Sequence, residues 1–129
     1  MSERPLVLVA DDEEDILTLV RLRLERAGLA VAVARDGESA LALAQARRPR
    51  VAVLDLSMPG LDGLELVRRL RADTQTRGIR IVLLTAKAQE ADVKSGFAAG
   101  ADAYLKKPFS PAELAARVQE LLAQPDGGR

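Results

Sequence analysis

The sequence predicts an α/β fold in which five parallel strands alternate with five helices. Short apolar runs and segments of helical periodicity alternate five times along the 129 residues. Two of the runs, residues 51–55 and 79–85, are apolar at nearly every position, as central strands buried on both faces are. A length of 129 residues fits one domain, and an apolar content of 48% is enough for its core. Alternating strands and helices indicate a parallel sheet with right-handed crossovers.

The first two strand–helix units have clear boundaries. Strands one and two are predicted at Leu6–Ala10 and Ala30–Ala34. Helix one runs from about Glu14 to Ala27, and its predicted buried face consists of Ile16, Leu19, Val20, Leu24 and Ala27. Gly28 then predicts a left-handed helix end. Helix two, Gly37 to Arg47, follows Asp36, whose side chain can cap it.

The other three units follow the same alternation. The predicted strands are Val51–Asp55, Ile79–Thr85 and Ala103–Leu105, and the helices between them are Leu64–Arg71 and Glu90–Ala99. In helix four, Val93 and Phe97 are expected to point inward. Helix five begins with an N-cap serine at Ser110, Pro111 at the first helical position and Glu113 three residues after the cap.

These units predict a flavodoxin-like, doubly wound sheet of order 2-1-3-4-5 flanked by five helices. In this order, strands one and three lie side by side where the winding direction changes. Residues 1–123 are expected to form the domain, and residues 124–129 a flexible C-terminal tail or a truncated linker.

Composition excludes several classes of function. Lys plus Arg equals Asp plus Glu at 19 each, so bulk attraction to nucleic acid or an acidic membrane is not expected. The absence of cysteine rules out a disulfide and a thiolate nucleophile. The absence of histidine means that any phosphohistidine or imidazole base must come from a partner. No apolar run approaches the roughly 20 residues of a membrane-spanning helix, and a cytoplasmic location is therefore expected.

Polar residues stand at the carboxyl ends of four predicted strands: Asp11 and Asp12, Asp55, Thr85, and Lys107. Ligands bind at this edge of an open parallel sheet, so the five side chains are expected to converge. Three aspartates and one lysine carry a formal charge of minus two. One Mg²⁺ would balance it, and oxygen ligation by one or two carboxylates is what Mg²⁺ prefers. Carboxylates also act as covalent acceptors of phosphoryl groups.

Each of these residues also has a purely structural interpretation. Asp11 and Asp12 can belong to an acidic cap of helix one, because helix N-termini favour acids. Asp55 can be an ordinary loop-start aspartate, and Lys107 a surface lysine beside Lys106. Thr85 can be a β-forming residue at a strand end. From spacing alone, Tyr104 reads as a half-buried aromatic on an edge strand.

The motifs taken together resemble the receiver domain of bacterial two-component response regulators. They are Asp11-Asp12, Asp55-x-x-Met58-Pro59-Gly60-x-Asp62-Gly63, Thr85-Ala86 and Gly100-Ala101-Asp102-x-Tyr104-x-x-Lys107-Pro108-Phe109. The resemblance implies that Asp55 is the phosphoacceptor and that Asp11, Asp12, Asp55 and the backbone carbonyl of Ser57 bind Mg²⁺, for which Mn²⁺ could substitute. It implies that Lys107 pairs with the phosphoryl group, and that Thr85 and Tyr104 form the switch.

The resemblance also implies a function and partners. The domain would be a signalling switch that catalyses only its own Mg-dependent phosphoryl uptake and slow dephosphorylation. The donor would be a sensor histidine kinase or a histidine phosphotransfer protein, and the output a change in the helix 4–strand 5–helix 5 surface read by an effector protein or domain. No direct contact with nucleic acid or membrane is expected. The chain would be a monomer or a weak dimer linked to phosphorylation.

The sequence disfavours three other functions. An aspartate-based phosphatase commonly needs a second acid two residues after the nucleophile, where this chain has Ser57. A flavin carrier is disfavoured because the chain has no tryptophan and no hydroxyl-rich phosphate loop after strand one. A pure interaction module would not need the intact acidic site.

Overall fold

The computed structural model describes residues 4–86 and 90–124. The strands are β1 Leu6–Ala10, β2 Ala30–Ala34, β3 Val51–Asp55, β4 Arg80–Thr85 and β5 Ala103–Lys106. The helices are α1 Glu14–Arg26, α2 Gly37–Arg47, α3 Gly63–Ala72, α4 Glu90–Ala99 and α5 Pro111–Ala123. Predicted and observed ends differ by at most one residue, which is the usual uncertainty of helix and strand ends. Of the predicted tail, residues 125–129 lie outside the described residues.

The sheet is parallel throughout, with the order β2-β1-β3-β4-β5 that the sequence predicts. All five residues of β3 are buried, as the unbroken apolar run in the sequence indicates. One core lies between the sheet and helices α1 and α5, and includes Val9, Val53, Leu24, Leu114 and Val118. The other lies against α2 and α3, and includes Leu8, Leu54, Ala40, Leu66 and Leu70.

The predicted helix ends form as expected. The Asp36 carboxylate accepts a hydrogen bond from the Ser39 amide at 2.7 Å, and the Ser110 hydroxyl accepts one from the Glu113 amide at 2.9 Å. Pro111 occupies the first turn of α5. Gly28 has φ +89°, the left-handed backbone that ends α1. Each side-chain cap typically stabilises a helix by about 1 kcal/mol.

Three predicted core positions are wrong: Leu19, Phe97 and Ala27. Leu19 is 56% exposed and Phe97 is 47% exposed. In α1 the buried residues are Leu17, Val20 and Leu24, so Leu19 points about 100° away from Val20 around the helix. Among residues 93–99 of α4 the buried position is Gly96, and Phe97 is turned from it by the same angle. Ala27, which was also assigned to the buried face, lies after α1 and is exposed.

Candidate functional site

The predicted site residues meet at the carboxyl edge of the sheet. Asp11 directly follows β1, and Asp55 ends β3, which pairs with β1. Thr85 ends β4, and Lys107 directly follows β5. Because these four strands are adjacent and parallel, their ends lie at the same edge. Carboxylate oxygens of Asp11, Asp12 and Asp55 lie within 4.8 Å of one another.

Burial separates the acidic residues into two groups. Asp11 is fully buried and Asp55 is 4% exposed, whereas Asp12 is exposed. Two ionised carboxylates buried this deeply are costly unless a cation lies beside them. The site therefore depends on the positive charge that it contains or recruits.

Lys107 supplies the positive charge inside the cluster. Its Nζ lies 2.9 Å from Asp11 Oδ2, 3.0 Å from Glu13 Oε1 and 3.4 Å from Asp55 Oδ2. Glu13 was not among the residues predicted from the sequence, although it belongs to the acidic run that begins at Asp11. With Asp12 included, four carboxylates share one ammonium, so the cluster remains formally negative.

Backbone amides orient the two buried aspartates in the same way. Asp11 Oδ1 accepts a hydrogen bond from the Glu13 amide at 2.9 Å, and Asp55 Oδ1 accepts one from the Ser57 amide at 3.2 Å. Each carboxylate is thus held by the amide two residues later, and its second oxygen faces Lys107. Asp11 Oδ2 is in ion-pair contact with Lys107, but within the described residues it accepts no well-aligned hydrogen bond. Buried carboxylate oxygens with spare lone pairs fit a divalent cation, which prefers oxygen ligands.

The electrostatics follow from this imbalance. Burial, and next the charge of Asp11, raise the pKa of Asp55 from 3.8 to about 6, although Lys107 opposes the rise. Burial alone would lower the pKa of Lys107, but the carboxylates of Asp11, Glu13 and Asp55 outweigh it and the pKa is raised. At neutral pH the lysine is therefore charged, and Asp55 is mostly a carboxylate.

The other predicted residues lie around this cluster. Thr85 is 3% exposed, and its carbonyl accepts a hydrogen bond from the Lys107 amide at 2.6 Å. The Lys107–Pro108 peptide bond is cis. Ser57 is exposed on the loop after Asp55. Tyr104 lies outside the cluster, half-buried on β5, with its ring 6.4 Å from that of Phe97.

An apolar hollow opens beside Lys107. It has a volume of about 400 Å³ and is lined by Glu13, Ile16, Leu19, Val20, Ala86, Lys107, Pro108, Phe109 and Pro111. Leu19, wrongly predicted to be buried, forms part of its wall. The exposed leucine is therefore next to the acidic cluster.

Comparison with known proteins identifies the family of the chain. The family model for the response regulator receiver domain matches residues 7–119, and the chain belongs to this family. It is 47% identical over 116 residues to the alkaline phosphatase synthesis transcriptional regulatory protein PhoP of Bacillus subtilis. The aligned region covers 90% of this chain and 48% of that protein. The chain spans about half the length of the curated relatives it matches.

Two solved structures are similar across the whole domain. Chemotaxis protein CheY4 of Vibrio cholerae has a TM-score of 0.87 and 35% identity, covering 92% of this chain and 99% of that one. The receiver domain of a Pseudomonas aeruginosa sensor histidine kinase has a TM-score of 0.86 and 30% identity, covering 95% and 100%. The latter was solved with a magnesium ion coordinated in its active-site cleft.

The family defines the chain as a signalling domain of two-component response regulators. Its acidic cluster is of the kind that can bind a metal ion. Within residues 4–86 and 90–124, no helix has the length and apolar character needed to cross a membrane.

Proposed function

We propose that Asp55 accepts a phosphoryl group from a phosphohistidine of a partner protein and that the modified domain then changes its partner surface. The observation that best supports this proposal is the position of Asp55. Its side chain is buried beside Asp11, and its Oδ2 faces the Lys107 ammonium. The chain has no histidine, so the donor imidazole belongs to a sensor histidine kinase or a histidine phosphotransfer protein.

The transfer requires only one nucleophile from this chain. Asp55 Oδ2 attacks phosphorus as the bond to the donor imidazole nitrogen breaks, and the released imidazole takes up a proton. Asp55 is mostly ionised at pH 7 because its pKa is about 6, so no base is needed. Lys107 holds a positive charge beside the phosphoryl oxygens, and Thr85 supplies a hydroxyl next to them. Catalysis of phosphoryl transfer comes mostly from positioning the reactants and stabilising charge in the transition state.

The acidic residues also provide a metal site. Asp11, Asp12, Asp55 and the Ser57 carbonyl would hold Mg²⁺ or Mn²⁺, whose charge would offset that of the phosphoryl oxygens. The spare lone pairs of Asp11 Oδ2 support this assignment. Slow hydrolysis of the acyl phosphate would return Asp55 to its starting state, and no further reaction is assigned to the domain.

The apolar hollow beside Lys107 suits the phosphoryl donor. A protein that brings histidine to Asp55 must cover the neighbouring surface, and Ile16, Leu19 and Phe109 offer it apolar contacts there. Exposed apolar patches rimmed by polar groups mark protein contacts. The donor therefore packs on α1 and on the segment between β5 and α5.

The switch connects Thr85 to Tyr104, which lies on the neighbouring strand β5 and on the same face of the sheet. Thr85 moves toward the phosphoryl group, and Tyr104 turns inward and alters the α4–β5–α5 surface that an effector protein or domain reads. A hydrogen bond to a charged group is worth about 1.5–3 kcal/mol. Two such bonds, from Thr85 and Lys107, give roughly 3–6 kcal/mol, compared with about 5.5 kcal/mol for a shift from 1:99 to 99:1. Effector binding completes a shift that phosphorylation begins.

Residues 1–123 act as the receiver, and the residues after them as a tail or linker. This domain makes no direct contact with nucleic acid, and it is monomeric or forms a weak dimer on phosphorylation.

Intact mass spectrometry after incubation with acetyl phosphate and Mg²⁺ tests the proposal. The parent should gain one phosphoryl group, and chelation of the metal should prevent the gain. Asp55→Asn should gain none, whereas Asp36→Asn should behave like the parent, because asparagine caps α2 as well as aspartate does. A phosphoryl group found on Asp55→Asn, or one gained equally in chelator, would overturn the assignment.

A further inference from the structure

The opposite edge of the sheet carries a groove that the proposed function does not use. Two hollows, of about 240 Å³ and 620 Å³, lie there and share Arg48 and Arg50 in their walls. We name them together the arginine groove. It is lined by Arg4, Arg47, Arg48, Arg50 and Arg80, and within the described residues no aspartate or glutamate lines it. The chain as a whole has no net charge, so this positive surface is local.

Ordinary structural needs account for only part of this charge. Arg47 stands in the last turn of α2 and Arg48 is its C-cap residue, where a cation is favoured by the helix dipole, and Arg80 is buried in β4. Arg48 and Arg50 flank the start of β3, and both are exposed. No carboxylate of the described residues forms an ion pair with either of them.

The two shared arginines are held in place while most of their donors stay open. Arg48 donates to Gln75 Oε1 at 2.8 Å, and Arg50 donates to the Leu122 carbonyl at 3.4 Å. A guanidinium has five N–H donors, so each retains several for a ligand. Arg48 also has φ +46°, the left-handed backbone of the C-cap of α2, and its amide donates to the Ala44 carbonyl at 2.9 Å. This helix end fixes the backbone from which the Arg48 side chain extends into the groove.

We infer that the arginine groove binds an acidic segment of a partner protein. Guanidinium forks match carboxylates in a bidentate geometry. Ile79, Leu121 and Leu122 add apolar wall to the smaller hollow, which suits a peptide with apolar and acidic side chains. No aromatic side chain of the described residues lines the groove, so the bases of a single-stranded nucleic acid would have no aromatic ring to stack on. The large exposed apolar residues Leu19, Leu22 and Phe97 lie outside it, so it offers no apolar anchor for a membrane.

Fluorescence anisotropy with fluorescein-labelled octaglutamate at low salt tests this inference on the whole chain. The parent should bind the peptide, and the double variant Arg48→Gln with Arg50→Gln should bind at least about tenfold more weakly. The matched control is Arg68→Gln with Arg69→Gln, which removes two exposed arginines of α3 and should change binding less than about twofold. Arg50→Lys keeps the charge without the fork and should give an intermediate affinity.

Separate measurements distinguish a failed inference from a damaged protein. Each variant should show the parent's circular-dichroism melting curve and take up a phosphoryl group from acetyl phosphate, because the groove is remote from Asp55. Equal losses in both double variants, or no binding by the parent, would overturn the inference. Tighter binding of octathymidylate or of phosphatidylglycerol vesicles than of octaglutamate would overturn the choice of an acidic protein segment.

Discussion

Two buried ion clusters occupy opposite edges of the same sheet, and they differ in their balance of charge. At the carboxyl edge, Lys107 is the one cation of the described residues that pairs with Asp11, Glu13 and Asp55. At the other edge, Arg71 pairs with Asp102 at 2.9 Å. Arg71 also donates to backbone carbonyls of Arg77, Ile79 and Gly100 at 2.6–3.0 Å. Counted over residues 4–86 and 90–124, the first cluster has more carboxylates than cations, whereas in the second the Arg71 guanidinium faces the Asp102 carboxylate and surrounding carbonyls.

This difference separates the proposed phosphorylation site from a structural anchor. The Arg71 cluster holds the beginnings of two strands: Ile79 precedes β4, and Asp102 precedes β5 and accepts a hydrogen bond from the Ile81 amide at 2.8 Å. The same strands end at Thr85 and just before Lys107. The balanced cluster thus fixes one end of β4 and β5, while the unbalanced cluster at their other end is the proposed site of the metal ion and the phosphoryl group.

Replacing Arg71 should have the largest effect. Arg71→Met removes the cation from buried Asp102 and leaves several carbonyls without a donor, so the free energy of unfolding should fall by about 3–5 kcal/mol. Urea denaturation measures this change. Arg69→Met, whose exposed side chain pairs with Glu65 on the same helix, should cost less than about 1 kcal/mol. Similar losses in both variants would show that the Arg71 cluster is not an anchor.

Replacing Asp55 should change stability in the opposite direction. Its pKa of about 6 in the folded protein exceeds the ordinary 3.8, so the folded state binds this proton more tightly than the unfolded chain. The resulting stability is complete below about pH 4 and is lost as the pH rises through about 6, a difference of roughly 3 kcal/mol. In EDTA at pH 7, Asp55→Asn should therefore be more stable than the parent by up to about 3 kcal/mol.

The same denaturation series contains its own control. Near pH 4 both side chains are neutral, and the gap between parent and Asp55→Asn should close. Asp36→Asn, at an exposed helix cap, should show no gap of this kind. An Asp55→Asn protein that is less stable than the parent at pH 7 would mean that Lys107 already balances the acidic cluster.

Most of the carboxyl-edge cluster was predictable from the sequence, and the anchor was not. Strand ends are readable from apolar runs, and parallel strands bring their ends together, so Asp11, Asp55 and Lys107 could be placed in one site. Glu13 was missed because loop geometry decides which acid of a run reaches a lysine. Arg71 was missed because its long side chain makes contacts that no periodicity encodes. Phe97 was misplaced because helical spacing alone does not determine which face α4 turns to the sheet.

The third prediction concerns the connection from the reactive cluster to Tyr104. Thr85→Ala should still gain a phosphoryl group in the mass measurement, but it loses a hydrogen bond to a charged group worth about 1.5–3 kcal/mol. The chain has one tyrosine and no tryptophan, so its intrinsic fluorescence reports Tyr104. Phosphorylation should change that fluorescence in the parent and change it much less in Thr85→Ala. Thr85→Ser keeps the hydroxyl and should respond like the parent, and a full response from Thr85→Ala would exclude Thr85 from the switch.

The smallest effect is expected at Gly96, on the helix between the two clusters. A Cβ atom there would lie 3.0 Å from Leu83 Cδ1 and 3.1 Å from Tyr104 Cε2, closer than the usual carbon contact of about 3.5–4.0 Å. Gly96→Ala gains about 1 kcal/mol of helix propensity, which should offset most of the crowding, so stability should change little. The crowding should nevertheless displace the Tyr104 ring and raise its quenching by acrylamide before any phosphorylation. Gly78→Ala is the matched control, because its Cβ would meet nothing within 4 Å. Unchanged quenching in Gly96→Ala would mean that the ring already has room to move, and that Thr85 rather than helix packing sets its position.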